Sequence, residues 1–394
     1  MSKAVNTRTW FISIFTLFLT RGFLFATWIS RGPEVKELLD LNNAQMGFFT
    51  MLSAIGGLIA IVYAGRVTSH FGSKRIAIAS FGVMGSSFLL MGVTIGGQSL
   101  ALASLFLLIL GIPIAMIDFA GNLEANALDK AAEKSRMPAV HSAYSLGMLS
   151  GSGLSSILIS FDIALQIHFV FVGIIVGGVS ILAGLAIPDH GYHATHESDE
   201  EKALAKKMRK AVWKERRSIY ITIIGFAFIL SEMVAGTWAP IAVTDAGYSD
   251  SAGAFAITMF WIAILIGRLG GGYMIDRFGR VTFVNISLYI TIIGVVVFAA
   301  SDYLHMPFVG LFLWGLGMSN GFPMMISAMG DENKWATPRV NMIITFVYIS
   351  SLTAGPALGA VGQVIGLYAA FGIPLIFLII ACFISKESAP LQGK

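Results

Sequence analysis

Four ionisable side chains stand well inside sequence that is otherwise almost wholly apolar: Arg21, Asp118, Glu124 and Glu232. A charge at the centre of a bilayer costs on the order of 2.5–3.5 kcal/mol on insertion scales unless it is paired or faces water. Two carboxylates and one guanidinium suffice to move a proton against a charged partner. Burial favours the neutral acid, a nearby arginine favours the carboxylate, and the proton decides between them. Asp118 and Asn122 lie four apart on one helix face, and Asp129 returns to that face; Glu124 points elsewhere and reads as packing. Arg21 and Trp28, seven apart, put a cation and an aromatic on a common face. The plainer alternatives are a buried ion pair that fixes helices for Arg21 and a cross-helix hydrogen bond for Asn122.

The elements that must position these groups are membrane helices. Of 394 residues, 56% are hydrophobic and 12% charged, against roughly 25% charged in a soluble domain, and the mean hydropathy is +0.78. Runs of about 20 apolar residues follow one another, long enough to cross a core of about 30 Å and unlike the alternating segments of a barrel. Helices are expected near 10–30, 45–65, 75–95, 99–125, 138–160 and 164–187, then near 217–243, 251–275, 281–300, 304–328, 339–362 and 365–385. This is an all-α membrane protein with twelve spans. Residues 1–187 form one six-helix bundle, 188–216 a cytoplasmic linker with a short amphipathic surface helix, and 217–394 the second bundle. Lys3 and Arg8 precede the first run as in a signal peptide, but Arg21 lies within it and no small-residue cleavage site follows, so it reads as retained.

Charge placement fixes the topology. With both termini cytoplasmic, Arg31 and Lys36 are the basic residues left outside and Arg21 lies within a helix; the other 23 of 26 fall inside. The net charge of +4 and pI near 9.1 therefore record topology rather than a nucleic-acid partner. The halves also repeat. Gly65-Arg66-Val67-Thr68-Ser69-His70-Phe71-Gly72 aligns with the stretch from Gly272 at an offset of 207, as does the polar opening of the second helix (Leu41–Phe48) with that of the eighth (Tyr248–Phe255). Thr27-Trp28 recurs as Thr237-Trp238.

Gly272, Asp276, Arg277, Gly279 and Arg280 together resemble the G-x-x-x-D-R-x-G-R loop of major facilitator superfamily transporters. In such a loop the glycines permit a tight turn and close packing, and Asp276 can pair with a nearby arginine, Arg268 being a candidate, or with a helix N-terminus on the cytoplasmic face. The first-half copy carries Ser69 and His70 in place of the aspartate and arginine. ATWISRGPEV, IDFAGN, VHSAYSLG and SEMVAGTW resemble stretches of the fucose-permease-like branch. The resemblance implies two pseudo-symmetric bundles around a central cavity lined by the first, fourth, seventh and tenth helices, three of which carry the buried charges. It further implies proton-linked uptake of sugar-like solutes.

The expected function is secondary transport of a small polar solute by proton symport through the inner (plasma) membrane of a bacterial-type cell, with the chain acting as a monomer. Asp118 or Glu232 would carry the proton and Arg21 would be the switch partner. Proton-antiport export of amphipathic compounds, and carriage of an organic anion on Arg21, are the alternatives. Trp28 and Trp238 would stack on a solute or anchor the interface, Asn320 in the glycine-rich tenth helix would face inward beside Trp314 and Pro323, and His141 would gate the cytoplasmic side or sit there as an interfacial group. His168 reads as structural near the outer interface. His190, His193 and His196 have no closed zinc spacing. With no phosphate-cradling loop, positioned nucleophile or metal pair, an enzyme, a cofactor and a metal are not expected.

Overall fold

The structure is a computed structural model and describes residues 6–132, 136–188, 199–301 and 305–391. Among these every regular element is helical. The first half contains α1 (Thr7–Ser30), α2 (Gly32–Leu38), α3 (Asn43–Phe71), α4 (Ser73–Gly96), α5 (Leu100–Ala132), α6 (Met137–Ser160) and α7 (Leu165–Leu185). After α8 (Asp199–Val212) come α9 (Arg216–Asp245), α10 (Asp250–Phe278), α11 (Arg280–Ala299), α12 (Pro307–Met318), α13 (Gly321–Met329), α14 (Asn333–Ile365), α15 (Leu367–Ala370) and α16 (Gly372–Ile384), closed by a 3-10 turn at Ser385–Ser388.

Among the described residues eleven helical stretches are long and apolar enough to cross a membrane. The twelfth expected span is α6, a 24-residue helix in which serines and glycines dilute the apolar character. Expected and observed spans otherwise agree within a few residues. α5 runs on to Ala132, where Ala127, Leu128, Lys130 and Ala131 are good helix formers that prolong the helix after its apolar run has ended, and α14 begins at Asn333 with Pro338 in its second turn. The tenth span is interrupted at Ser319 and Asn320, between α12 and α13, inside its glycine-rich stretch.

The chain divides into two compact units. One comprises Met1–Asn42, Phe48–Ala194 and Ser249–Phe255; the other comprises Asn43–Gly47, Thr195–Tyr248 and Ala256–Lys394. Within the first unit, α1 lies against α6 so closely that a Cβ at Gly147 would stand 2.0 Å from the Leu19 carbonyl oxygen, and one at Gly22 would stand 2.3 Å from that of Tyr144. Between membrane helices, where lipid tails are as apolar as leucine, such backbone contact is a main source of cohesion.

The repeat is written in the backbone as well. All eight residues at positive φ among those described fall into pairs: Asp40 with Gly247, Gly72 with Gly279 and Gln98 with His305 are each 207 apart, and Asp162 pairs with Gly366 at 204. Each lies between two helices, and Gly72, Gly279 and Gly366 combine the positive φ with an extended ψ of 146°, 156° and 150°, a conformation open to glycine.

Candidate functional site

In the first unit α1, α5 and α6 bring their polar groups together. Arg21 donates from Nη2 to Asp118 Oδ2 at 2.7 Å, and its guanidinium lies over the Tyr144 ring, 5.0 Å from the centroid. The Arg21 side chain is 18% exposed and that of Asp118 40%, so the pair is accessible from one side while sitting among apolar helices. Arg21 Nε is buried with no hydrogen-bond partner, so one donor of the guanidinium edge facing the acid is unused. One turn on from Asp118, Asn122 spends its amide on the Asp118 backbone carbonyl at 2.8 Å. His141 is exposed on α6 and packs edge-on against Phe18, with 5.4 Å between centroids. Trp28 is buried among Phe49 and Phe169.

The second unit has its own acid and arginine. Glu232 on α9 lies within electrostatic reach of Arg268 on α10, and Arg268 donates from Nε to the Ser319 carbonyl at 3.2 Å, where the tenth span breaks. Asn320 caps α13 and donates to the Gly267 carbonyl at 2.7 Å, tying that break to α10. Trp314 donates to Ser231 at 2.7 Å. Trp238 is fully buried, its indole N–H on the Ala354 carbonyl at 3.3 Å, and serves as a packing group between α9 and α14. Arg268 thus links the Glu232 side of α9 to the break in the tenth span.

The loop motif brings a glycine turn and a charge contact together. Asp276 and Arg277 are exposed, and Arg277 donates to the Tyr273 hydroxyl at 2.9 Å. Gly279, at φ 77°, makes the turn that sequence required of it, while Gly272 has open space around it. The charge contact is made by Arg280, which grips Asp331 with two hydrogen bonds of 2.8 and 2.9 Å. Arg217 joins from the start of α9, donating to the same acid at 2.8 Å and to the Ala389 carbonyl at 2.9 Å. Burial works to raise the Asp331 pKa, but the hydrogen bonds and charges of Arg280 and Arg217 outweigh it and hold the carboxyl below its ordinary value. Glu215, ahead of α9, is likewise held low against partial burial by Arg339 and Ser218, with Arg339 bonding it at 2.5 and 2.9 Å.

The corresponding place in the first unit is occupied by Glu124, which is buried. It accepts from the Trp10 indole N–H at 2.9 Å and from the Ser73 hydroxyl. Trp10, Ser73 and Glu124 are each 207 residues before Arg217, Arg280 and Asp331. The seat was detectable at the offset already found, but nothing in the residue types pointed to it, since a tryptophan and a serine stand where two arginines stand in the second copy. At the opposite end of that unit Arg31 is buried, donating to His168 Nδ1 at 3.2 Å, to the Ile163 carbonyl at 2.7 Å and to Glu34. Among the described residues no group of acids, histidines and cysteines is placed to hold a metal; His190, His193 and His196 lie outside the described residues.

Apolar helices in two repeat-related units, each with an acid and an arginine on its membrane helices, make a polytopic membrane protein. The Major Facilitator Superfamily model matches residues 10–333 and 221–392, and the chain belongs to that superfamily. It is 24% identical over 97% of its length to an uncharacterised MFS-type transporter of Yersinia pestis, covering 94% of that protein. It is 22% identical over 92% of its length to the membrane protein MosC of Rhizobium meliloti, covering 85% of it. In fold it is similar to a variant of the nucleoside transporter NupG (TM-score 0.77, 13% identity, 96% of this chain and 99% of that one). The fucose:proton symporter FucP of E. coli also shares the fold (TM-score 0.59, 17% identity, 97% and 100%). The chain is thus a multi-pass membrane transporter of a small-molecule solute and not an enzyme.

Proposed function

We propose that this transporter takes up a small polar solute, sugar-like in character, by proton symport through alternating access in the inner (plasma) membrane. It acts as a monomer with both termini in the cytoplasm. Asp118 and Glu232 carry the proton, and Arg21 and Arg268 are their respective charge partners. The observation that carries this reading is the 2.7 Å contact between Arg21 Nη2 and Asp118 Oδ2, made between α1 and α5 by a partly accessible carboxylate. When Asp118 is ionised, the pair is electrically closed and holds the two helices together. When it takes a proton the attraction collapses, and Arg21 is released to a solute hydroxyl or to a new helix position. An anion carrier would need the guanidinium charge standing free, whereas Asp118 already offsets it. The shared fold of NupG and FucP, whose names specify a nucleoside and fucose with a proton, is compatible with a hydroxyl-rich neutral cargo.

Reconstituted protein with a pH dye trapped inside the liposomes tests the reading against a panel of monosaccharides and nucleosides. Wild type is expected to acidify the lumen when a transported solute is added outside, and the double variant Asp118→Asn with Glu232→Gln is expected to lose that response. Solute entry without proton movement makes the protein a uniporter, and proton-coupled entry that survives in the double variant removes both acids from the mechanism.

A further inference from the structure

Three features around Arg21 belong together. Its guanidinium lies over the Tyr144 ring at 5.0 Å. It reaches Asp118 through Nη2 alone, with Nε buried and unbonded. The backbone of α1 at Gly22 runs directly against the Tyr144 carbonyl, leaving no room for a side chain between them. An arginine meeting a carboxylate with no other constraint adopts a two-donor fork, because both bonds shorten and the geometries match. Here the fork is half used. What competes for the guanidinium is the face of an aromatic ring, which attracts a cation by its quadrupole whatever the protonation state of the acid.

Resting on the reading of Asp118 as a proton carrier, we propose that Tyr144 is a positioning residue: its ring holds Arg21 in a one-donor contact with Asp118, and this sets the pH at which Asp118 takes its proton. The ring has two effects. It keeps Arg21 out of the full fork, so the carboxylate is bound less tightly than its neighbour would allow. It also gives Arg21 a partner that remains when the proton arrives, so the cation is not abandoned among apolar helices at that step. The charge set directly against Asp118 is that of Arg21, at 2.7 Å. On its own helix, Asn122 is neutral and Glu124 is turned to Trp10 and Ser73. On α6, His141 packs on Phe18; α3 meets α5 here through Gly57 and Gly65, which carry no charge.

The test needs no transported solute. The protein in liposomes is followed by infrared difference spectroscopy across pH, and the protonated-carboxyl C=O band that disappears in Asp118→Asn is assigned to Asp118. Tyr144→Phe keeps the ring and is expected to titrate as wild type. Tyr144→Leu and Tyr144→Met remove it, letting Arg21 close onto both carboxylate oxygens. Their midpoint is expected to move to more acid pH by about one unit, a tenfold change in proton concentration. Two ringless variants guard against one that fails to fold. The proposal falls if the ringless midpoints match wild type, if Tyr144→Phe shifts as far as they do, or if no band is lost in Asp118→Asn. Should the bands move as expected while liposomes show no solute-driven proton entry, the positioning role stands and proton symport does not.

Discussion

Asp331 shows how a single carboxylate gathers a whole helix end. It receives Arg217 and Arg280 at 2.8 Å each, and all three side chains are 11–15% exposed. Replacing Asp331 with Asn leaves two arginines facing each other, at a cost of about 2 kcal/mol, below the 3–5 typical of a fully buried pair. Thermal unfolding in detergent should show the loss. Because the folded carboxyl titrates below the ordinary 3.8, the stability it contributes is complete above that value and disappears as pH falls through the folded pKa. The gap between wild type and Asp331→Asn should therefore be flat from about pH 5 to 8 and close only in stronger acid. Arg21, Asp118 and Glu232 were legible as special because a charge inside an apolar run is conspicuous in one dimension. Asp331, Arg217, Glu215 and Arg339 were not, because acids and bases between spans are common and their pairing, over 51 to 124 residues, is settled by tertiary structure alone.

Helices as elements were the most readable part of the chain, since length and hydropathy alone decide what can cross a bilayer. Their ends and interruptions were harder. The break at Ser319 and Asn320 was signalled by glycines and a proline, but its being held by Gly267 and Arg268 from α10 was invisible. How helices approach one another is also coded weakly, by small residues whose partners sequence does not name. Gly147 is the clearest case: an added methyl would meet the Leu19 carbonyl at 2.0 Å, and Gly147→Ala must push α1 and α6 apart. Overpacking of this kind costs about 1–3 kcal/mol. The variant should melt lower and, because α1 and α6 carry Arg21 and Tyr144, lose solute-driven proton entry more than its stability alone accounts for. Gly178→Ala, where a Cβ meets nothing, should change neither measurement.

At the scale of the molecule, the duplication at an offset of 207 was found from a few short matches and is now carried by paired turns of positive φ and by two three-residue seats. It also gives a test of orientation. In a Cys382→Ser background, cysteines at Gln98 and His305 should react with a membrane-impermeant maleimide added to intact cells, whereas cysteines at His70 and Arg277 should react only after the membrane is opened. The reverse pattern would put the termini outside. The paired seats differ in one practical respect. In the second half, Arg217 and Arg280 reach past Asp331 to the Ala389 and Ser388 carbonyls, and the Leu391 N–H points back at Asp331. The segment Ser388–Leu391 is thereby a structural part of the bundle. A tag appended after Leu391 hangs from a fixed attachment point, while trimming back to Ile384 to help crystals grow would remove two of the acceptors that hold α9 and α11 together.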